Sequence, residues 1–211
     1  MDRKHLLCGV AAAALIMTGA VQARANGIEA VSVASMWQGF YFGAHLGAGR
    51  TSGVLSPGSD DEAYSTGGAL AGLHLGFNWH TGGNWVWGIE GDVSFADLMH
   101  SVSEHAISVD VLSSIRARLG MPVGNALVYV TAGAGVLAGT TGSSNESDNS
   151  SFSVWRPVAG LGVAAPINDT ISVRAEGLAF IGDDAPSGPS ERNTIETVYV
   201  ARIGIDFHLQ K

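Results

Sequence analysis

Little in this chain carries charge. Charged side chains make up 14% of its 211 residues, against about a quarter in an ordinary soluble domain. The single cysteine, Cys8, stands close to the N-terminus, so the chain beyond it offers no disulfide and no cysteine-based metal site. Lysine and arginine total 11 against 19 acids, for a formal net charge of −8. Such a balance argues against nucleic acid as a partner. Long apolar runs are also missing: past residue 26 none approaches the roughly 18 residues of a spanning helix.

The start of the chain reads as a processing signal. Arg3 and Lys4 precede an apolar run from Leu6 to Val21, and the small residues Ala23 and Ala25 follow. A basic end, an apolar middle and an A-x-A-type site make a secretory signal peptide, removed from residues 1–25. Cleavage after Ala23 or after Ala25 satisfies the pattern equally. Residues 26–36 are then a short periplasmic lead, and 37–211 one barrel domain. Secretion, low charge and no spanning helix leave a membrane barrel built of strands as the class to test.

What is present fits that class. A strand with lipid on one side and a barrel interior on the other alternates apolar and polar residues over about 9–11 positions. Eight segments do so, near 39–49, 69–79, 83–95, 108–121, 126–137, 152–164, 170–180 and 194–209. In the third, Trp87, Ile89, Val93 and Phe95 share one parity, while Glu90, Asp92 and Ser94 take the other. Tight turns at 80–84, 122–125 and 166–169 alternate with longer polar loops at 51–68, 96–107, 139–151 and 182–193. Short turns at one end and long loops at the other are the asymmetry of an outer-membrane barrel. The fold class expected is therefore all-β: an eight-stranded antiparallel up-and-down transmembrane β-barrel. Both termini fall on the turn side, the periplasmic one. Aromatic belts are expected at Trp37, Phe40, Trp79, Trp85 and Phe207 on that side, and at Phe95, Trp155, Phe180 and Tyr199 on the other.

The stretches WQGFYFGAHLGAG (37–49), GLHLGFNW (72–79), WGIEGDVSF (87–95), SIRARLGMPVGNALVYVTAGAGV (114–136) and VARIGIDFHL (200–209) resemble the small outer-membrane barrels called outer-membrane immunogenic or porin-family proteins. These are similar to the transmembrane domain of OmpA. The resemblance covers most of 37–211 and implies residence in the outer membrane of a Gram-negative bacterium. Arg202, Gly204, Phe207 and Leu209 fit the C-terminal pattern read by the assembly machinery in this class. The chain departs from the family by ending on Gln210-Lys211 instead of an aromatic residue, and by lacking a proline-rich lead.

The parity opposite the apolar one carries Glu90, Asp92, Arg116, Arg118, Arg156, Arg174, Glu176, Arg202 and Asp206, five arginines and four carboxylates. An unpaired buried charge costs several kcal/mol, so near-equal numbers predict a mutually neutralising lumen network. Inward glycines leave room for the long side chains. An eight-stranded barrel is only wide enough for side chains to fill, which predicts no wide pore. The leading expectation is a structural barrel that supports the envelope and displays its loops. Its partners are then outer-membrane lipids, lipopolysaccharide and the assembly machinery.

Alternatives rest on the loops. Asp97, His100, Ser101, Glu104 and His105 hold hydrolytic residue types but no nucleophile elbow, so no enzyme and no cofactor are expected. His100 and His105, together with His45 and His74, suit a haemin or metal ligand, and some relatives are described as haemin-binding. A surface receptor for haemin, another small ligand or a host surface, or a narrow pore, is the second expectation. Loop acids (Asp60, Asp61, Glu62, Glu104, Glu146, Asp148, Asp183, Asp184 and Glu191) read as solvating charge.

Overall fold

The computed structural model describes residues 33–55, 62–80, 84–102, 105–143, 150–182, 194–195 and 197–209, with side chains at 34–51, 67–80, 84–96, 110–140, 151–182 and 197–209. The leader expected at 1–25, residues 26–32 and the side chains of the loop acids lie outside that set. A 3-10 helix, Val33–Trp37, precedes the strands. These are β1 Gly39–Leu55, β2 Glu62–His80, β3 Val86–Val102, β4 His105–Val123, β5 Ala126–Ser143, β6 Ser150–Pro166, β7 Ile171–Phe180, β8 Thr194–Ile195 and β9 Val198–Leu209.

Each strand pairs antiparallel with its neighbours, and the order returns on itself. β9 pairs with β7 on one edge and with β1 on the other, while β1 also pairs with β2. The two residues of β8 pair with Gly53 and Val54, further along the β1 edge that β9 follows. Together β8 and β9 form the eighth stave of a closed, up-and-down barrel. Closure leaves no sheet edge at the lipid boundary, where water cannot satisfy a bare N–H.

Alternation assigns the faces. Leu46, Leu73, Ile115, Leu161 and Ile203 point outward and are 61–66% exposed, on five different strands. An apolar belt on that scale has no place on a water-soluble surface. Two aromatic residues expected in the belts point inward instead. Phe180 follows the inward parity of β7, and Trp37 ends the 3-10 helix inside the turn-side mouth, both nearly fully buried.

The strands run further than alternation alone suggests. Hydrogen bonding carries β3 to Val102 and starts β4 at His105, so only 103–104 separate strands where a loop at 96–107 was expected. Beyond the hydrocarbon no lipid enforces an apolar parity, yet the ladder continues. Register shifts between Phe95 and Leu98, and between Val109 and Val111, also break the phase there.

The turns are set locally. β4 and β5 join through Gly124 and Asn125, with Val123 opposite Ala126 and Gly124 at φ +62°, a left-handed value glycine adopts without strain. In the β6–β7 connection the Asn168 side-chain oxygen accepts from the backbone N–H of Thr170 and Ile171, at 2.9 and 2.8 Å.

Candidate functional site

The interior is built in three layers. Near the turns, Ala34 and Trp37 pack with Val86, Leu127, Tyr129 and Ala164. Near the loops, Leu70, Leu112, Leu137, Val158, Leu178, Phe180, Val198 and Val200 fill the bore. Between them lie the ions. On β4 the order is Leu112, then Arg116 and Arg118; on β9 it is Val200, then Arg202 and Asp206.

Glu90 is the centre of the ionic layer. Its Oε1 meets Arg116 Nη2 at 2.5 Å and its Oε2 meets Arg174 Nη1 at 2.5 Å. Arg202 and Arg118 approach it at 3.5 and 3.7 Å, and the Tyr41 hydroxyl donates to it at 2.7 Å. Asp92 accepts from Arg202 at 2.8 Å, from Arg116 at 3.1 Å and from the Ser114 hydroxyl. Glu176 joins Arg202 at 2.6 Å and Arg116 at 3.2 Å. Asp206 holds Arg174 Nε at 2.8 Å. Arg118 lies 3.5 Å over the Tyr129 ring, where the π-face attracts its cation.

Eight of the nine charged residues expected in the lumen thus meet in one cluster, four arginines with four carboxylates. Arg156 does not join them. It is buried on the inward parity of β6, but beyond Val158 on the loop side, and its Nη1 donates to the Gly182 carbonyl at 3.3 Å. Parity found its face and said nothing of its height.

Glycines admit these side chains. A Cβ on Gly76 would sit 2.5 Å from the Tyr41 ring, and one on Gly72 would sit 2.6 Å from His45. Each bulky group therefore lies across a bare position of the adjacent strand.

Sequence patterns missed a hydrogen-bonded chain beside the ions. Ser94 Oγ stands 2.8 Å from His45 Nε2, His45 Nδ1 3.2 Å from His74 Nδ1, and His74 Nε2 2.7 Å from Asp206 Oδ1. Its ends fix the tautomers. Arg202, 3.4 Å from His45 Nε2, can only donate, so a neutral His45 carries its proton on Nδ1. That proton is donated to His74 Nδ1, which leaves the His74 proton on Nε2 to reach the carboxylate. Ser172 also donates to Asp206, at 3.2 Å, and stands 2.9 Å from His208 Nε2. His208 lines a turn-side cavity of about 120 Å³ with Met36, Trp37, Pro166, Asn168, Asp169 and Ser172.

The haem or metal reading loses two of its four histidines here. His45 and His74 face inward, are buried, and spend their ring nitrogens on each other, Ser94 and Asp206. His100 pairs with Ile107 and His105 with Val102 in the β3–β4 hairpin, with their side chains outside the described set. Of the assembly pattern, Arg202 lies in the ionic cluster and Gly204 opposite His45. Phe207 and Leu209 face outward, and Phe207 stacks on Phe42 with ring centroids 5.7 Å apart.

Residues 11–195 match the family described as outer membrane protein beta-barrel domain. The chain belongs to that family. A 22 kDa outer membrane protein of Rhizobium leguminosarum bv. viciae is 31% identical over 148 residues, covering 69% of this chain and 64% of that one. A 25 kDa outer-membrane immunogenic protein of Brucella abortus biovar 1 (strain 9-941) is 33% identical over 147 residues, 66% of this chain and 63% of that one. The match spans just under two thirds of these relatives' length. Among solved structures, Neisserial surface protein A shares the fold at a TM-score of 0.52 and 13% identity, over 82% of this chain and 98% of that one. This outer-membrane barrel accordingly resides in the bacterial outer membrane.

Proposed function

We propose that this barrel is a sealed structural element of the outer membrane. It anchors in lipid through its apolar wall, displays its loop-side hairpins outside the cell, and keeps both termini on the periplasmic side. One observation carries the reading: on the loop side of the ions a layer of aliphatic and aromatic side chains fills the bore. A conduit needs a continuous polar path; toward the turns Ser172 and His208 lead from Asp206 to the small cavity, but toward the loops the ions meet packed aliphatic and aromatic side chains. The four arginines and four carboxylates neutralise one another, which lets a charged filling persist inside an enclosed bore. Arginine suits the role because its planar head serves several acceptors at once. Outer-membrane lipids, lipopolysaccharide and the assembly machinery are the partners of such a barrel, the last through the segment Arg202–Leu209.

Planar-bilayer recording on the purified protein tests this. Sealing predicts no stable openings; large, long-lived conductance steps would overturn it.

A further inference from the structure

Arg50 stands out on the outer wall. Among the described side chains of the strands it is the one charged residue that is exposed, since the other charged groups are buried or half-buried. Its position on β1 has a simple measure. Phe40, at the turn-side edge of the apolar wall, lies ten residues away on the same parity. Ten residues at about 3.4 Å, on a strand tilted by about 40°, rise about 26 Å along the membrane normal. The apolar band of such barrels is about 25 Å tall. Arg50 therefore sits at the far headgroup level, where an outward arginine costs little, in contrast to the midplane.

Its neighbours complete a site. Across the β1–β9 pairing Arg50 stands opposite Tyr199, which is 59% exposed on the same outer face. Directly opposed residues hold their Cβ atoms about 5 Å apart, so a guanidinium and a phenol there can converge on one group. On the other flank Arg50 is opposite Gly67, which puts no side chain in the way. A planar fork of N–H donors beside an interfacial hydroxyl suits a phosphate ester: two charge-assisted bonds from arginine and one from tyrosine.

We propose that Arg50 and Tyr199 bind a lipid phosphate at the loop-side leaflet, the phosphorylated glucosamine of lipid A. This rests on the orientation proposed above, which puts that leaflet outermost. Phe95 on β3 and Trp155 on β6, outward elsewhere around the barrel, mark the same headgroup level.

The test uses the refolded full barrel in nanodiscs, with bound lipid counted by native mass spectrometry. The probes are bisphosphorylated lipid A, its dephosphorylated form, phosphatidylglycerol and inorganic phosphate. Wild type should retain bisphosphorylated lipid A in preference to the dephosphorylated form. Arg50→Gln should weaken that retention about tenfold or more, the worth of one charge-assisted contact. Tyr199→Phe should weaken it less, and Arg50→Lys should restore part of it. Both positions are remote from the ionic layer, so heat-modifiable gel migration should remain as in wild type. Unchanged retention in Arg50→Gln overturns the site. So does displacement of lipid A by millimolar inorganic phosphate, or equal retention of phosphatidylglycerol. Protease cleavage of the loops on intact cells scores the orientation separately. Cut loops with an unaffected Arg50→Gln variant would refute the phosphate site alone.

Discussion

Glu90→Gln replaces the centre of the ionic layer with its neutral isostere, and its cost can be worked from the contacts. Both carboxylate oxygens are acceptors, Oε1 toward Arg116 and Oε2 toward Arg174 and the Tyr41 hydroxyl. An amide keeps one oxygen and turns an N–H₂ group against whichever donors faced the other. Four arginines would then share three carboxylates in a layer closed by apolar packing. Stranding a buried charge in this way costs about 3–5 kcal/mol, roughly a hundred- to several-thousand-fold in the folding equilibrium. Arg118 is the arginine with the fewest carboxylate contacts, 3.7 Å from Glu90 alone, beside the Tyr41 hydroxyl at 3.2 Å and the Tyr129 ring. Adding Arg118→Gln to Glu90→Gln restores the charge balance, and should recover about 1 kcal/mol or more through coupling between neighbours. Urea titration of the four forms in liposomes, followed by tryptophan fluorescence, gives the cycle. A Glu90→Gln barrel within about 1 kcal/mol of wild type, or strictly additive mutations, would refute the idea that neutrality holds this layer together.

Other perturbations follow from the same geometry. Leu73→Arg, outward and mid-strand, should cost about 2–4 kcal/mol in the same liposome titration, since it places a charge near the bilayer midplane. Gly76→Ala should destabilise by about 1–3 kcal/mol, because its Cβ would press on Tyr41 and on the Ile89 carbonyl, at 2.5 and 2.8 Å. Gly124→Ala meets open space and should lose only the left-handed backbone preference, about 1 kcal/mol. Nitrogen-15 spectra of labelled histidine in nanodiscs should place the proton of neutral His45 on Nδ1 and that of neutral His74 on Nε2. The opposite pair of tautomers would contradict the hydrogen-bonded chain from Arg202 to Asp206.

The wall of the barrel was legible because lipid imposes a binary rule on it. Trp87, Ile89 and Val93 had to alternate with Glu90 and Asp92 once one face met acyl chains, and parity alone sorted them correctly. Where that rule lapses, so did the reading. Above Phe95 the ladder continues without an apolar parity, and strand residues looked like loop. The inward face obeys packing instead of alternation, so Leu112 and Val158 could not be told from the polar residues of their own parity as a separate layer. Phe180 and Trp37 were assigned by chemistry when parity and a preceding helical turn governed them. Glu90, Arg116 and Arg174 could be named as lumen residues, yet the singling out of Glu90 needs three dimensions, because its partners come from four strands. The histidine chain had no signal of its own. His45, His74 and Asp206 are far apart in sequence, and only closure of β1 against both β2 and β9 brings them together.

The arrangement of faces is tested most directly by nuclear Overhauser contacts between lipid acyl methylenes and the side-chain methyls of the barrel in nanodiscs. Leu46, Leu73, Ile115 and Ile203 should show strong contacts, while Leu112, Leu127 and Val158 should show none. Acyl-chain contacts at Leu112 and Val158, with silence at Leu73 and Ile203, would turn the barrel inside out and contradict the account at its base.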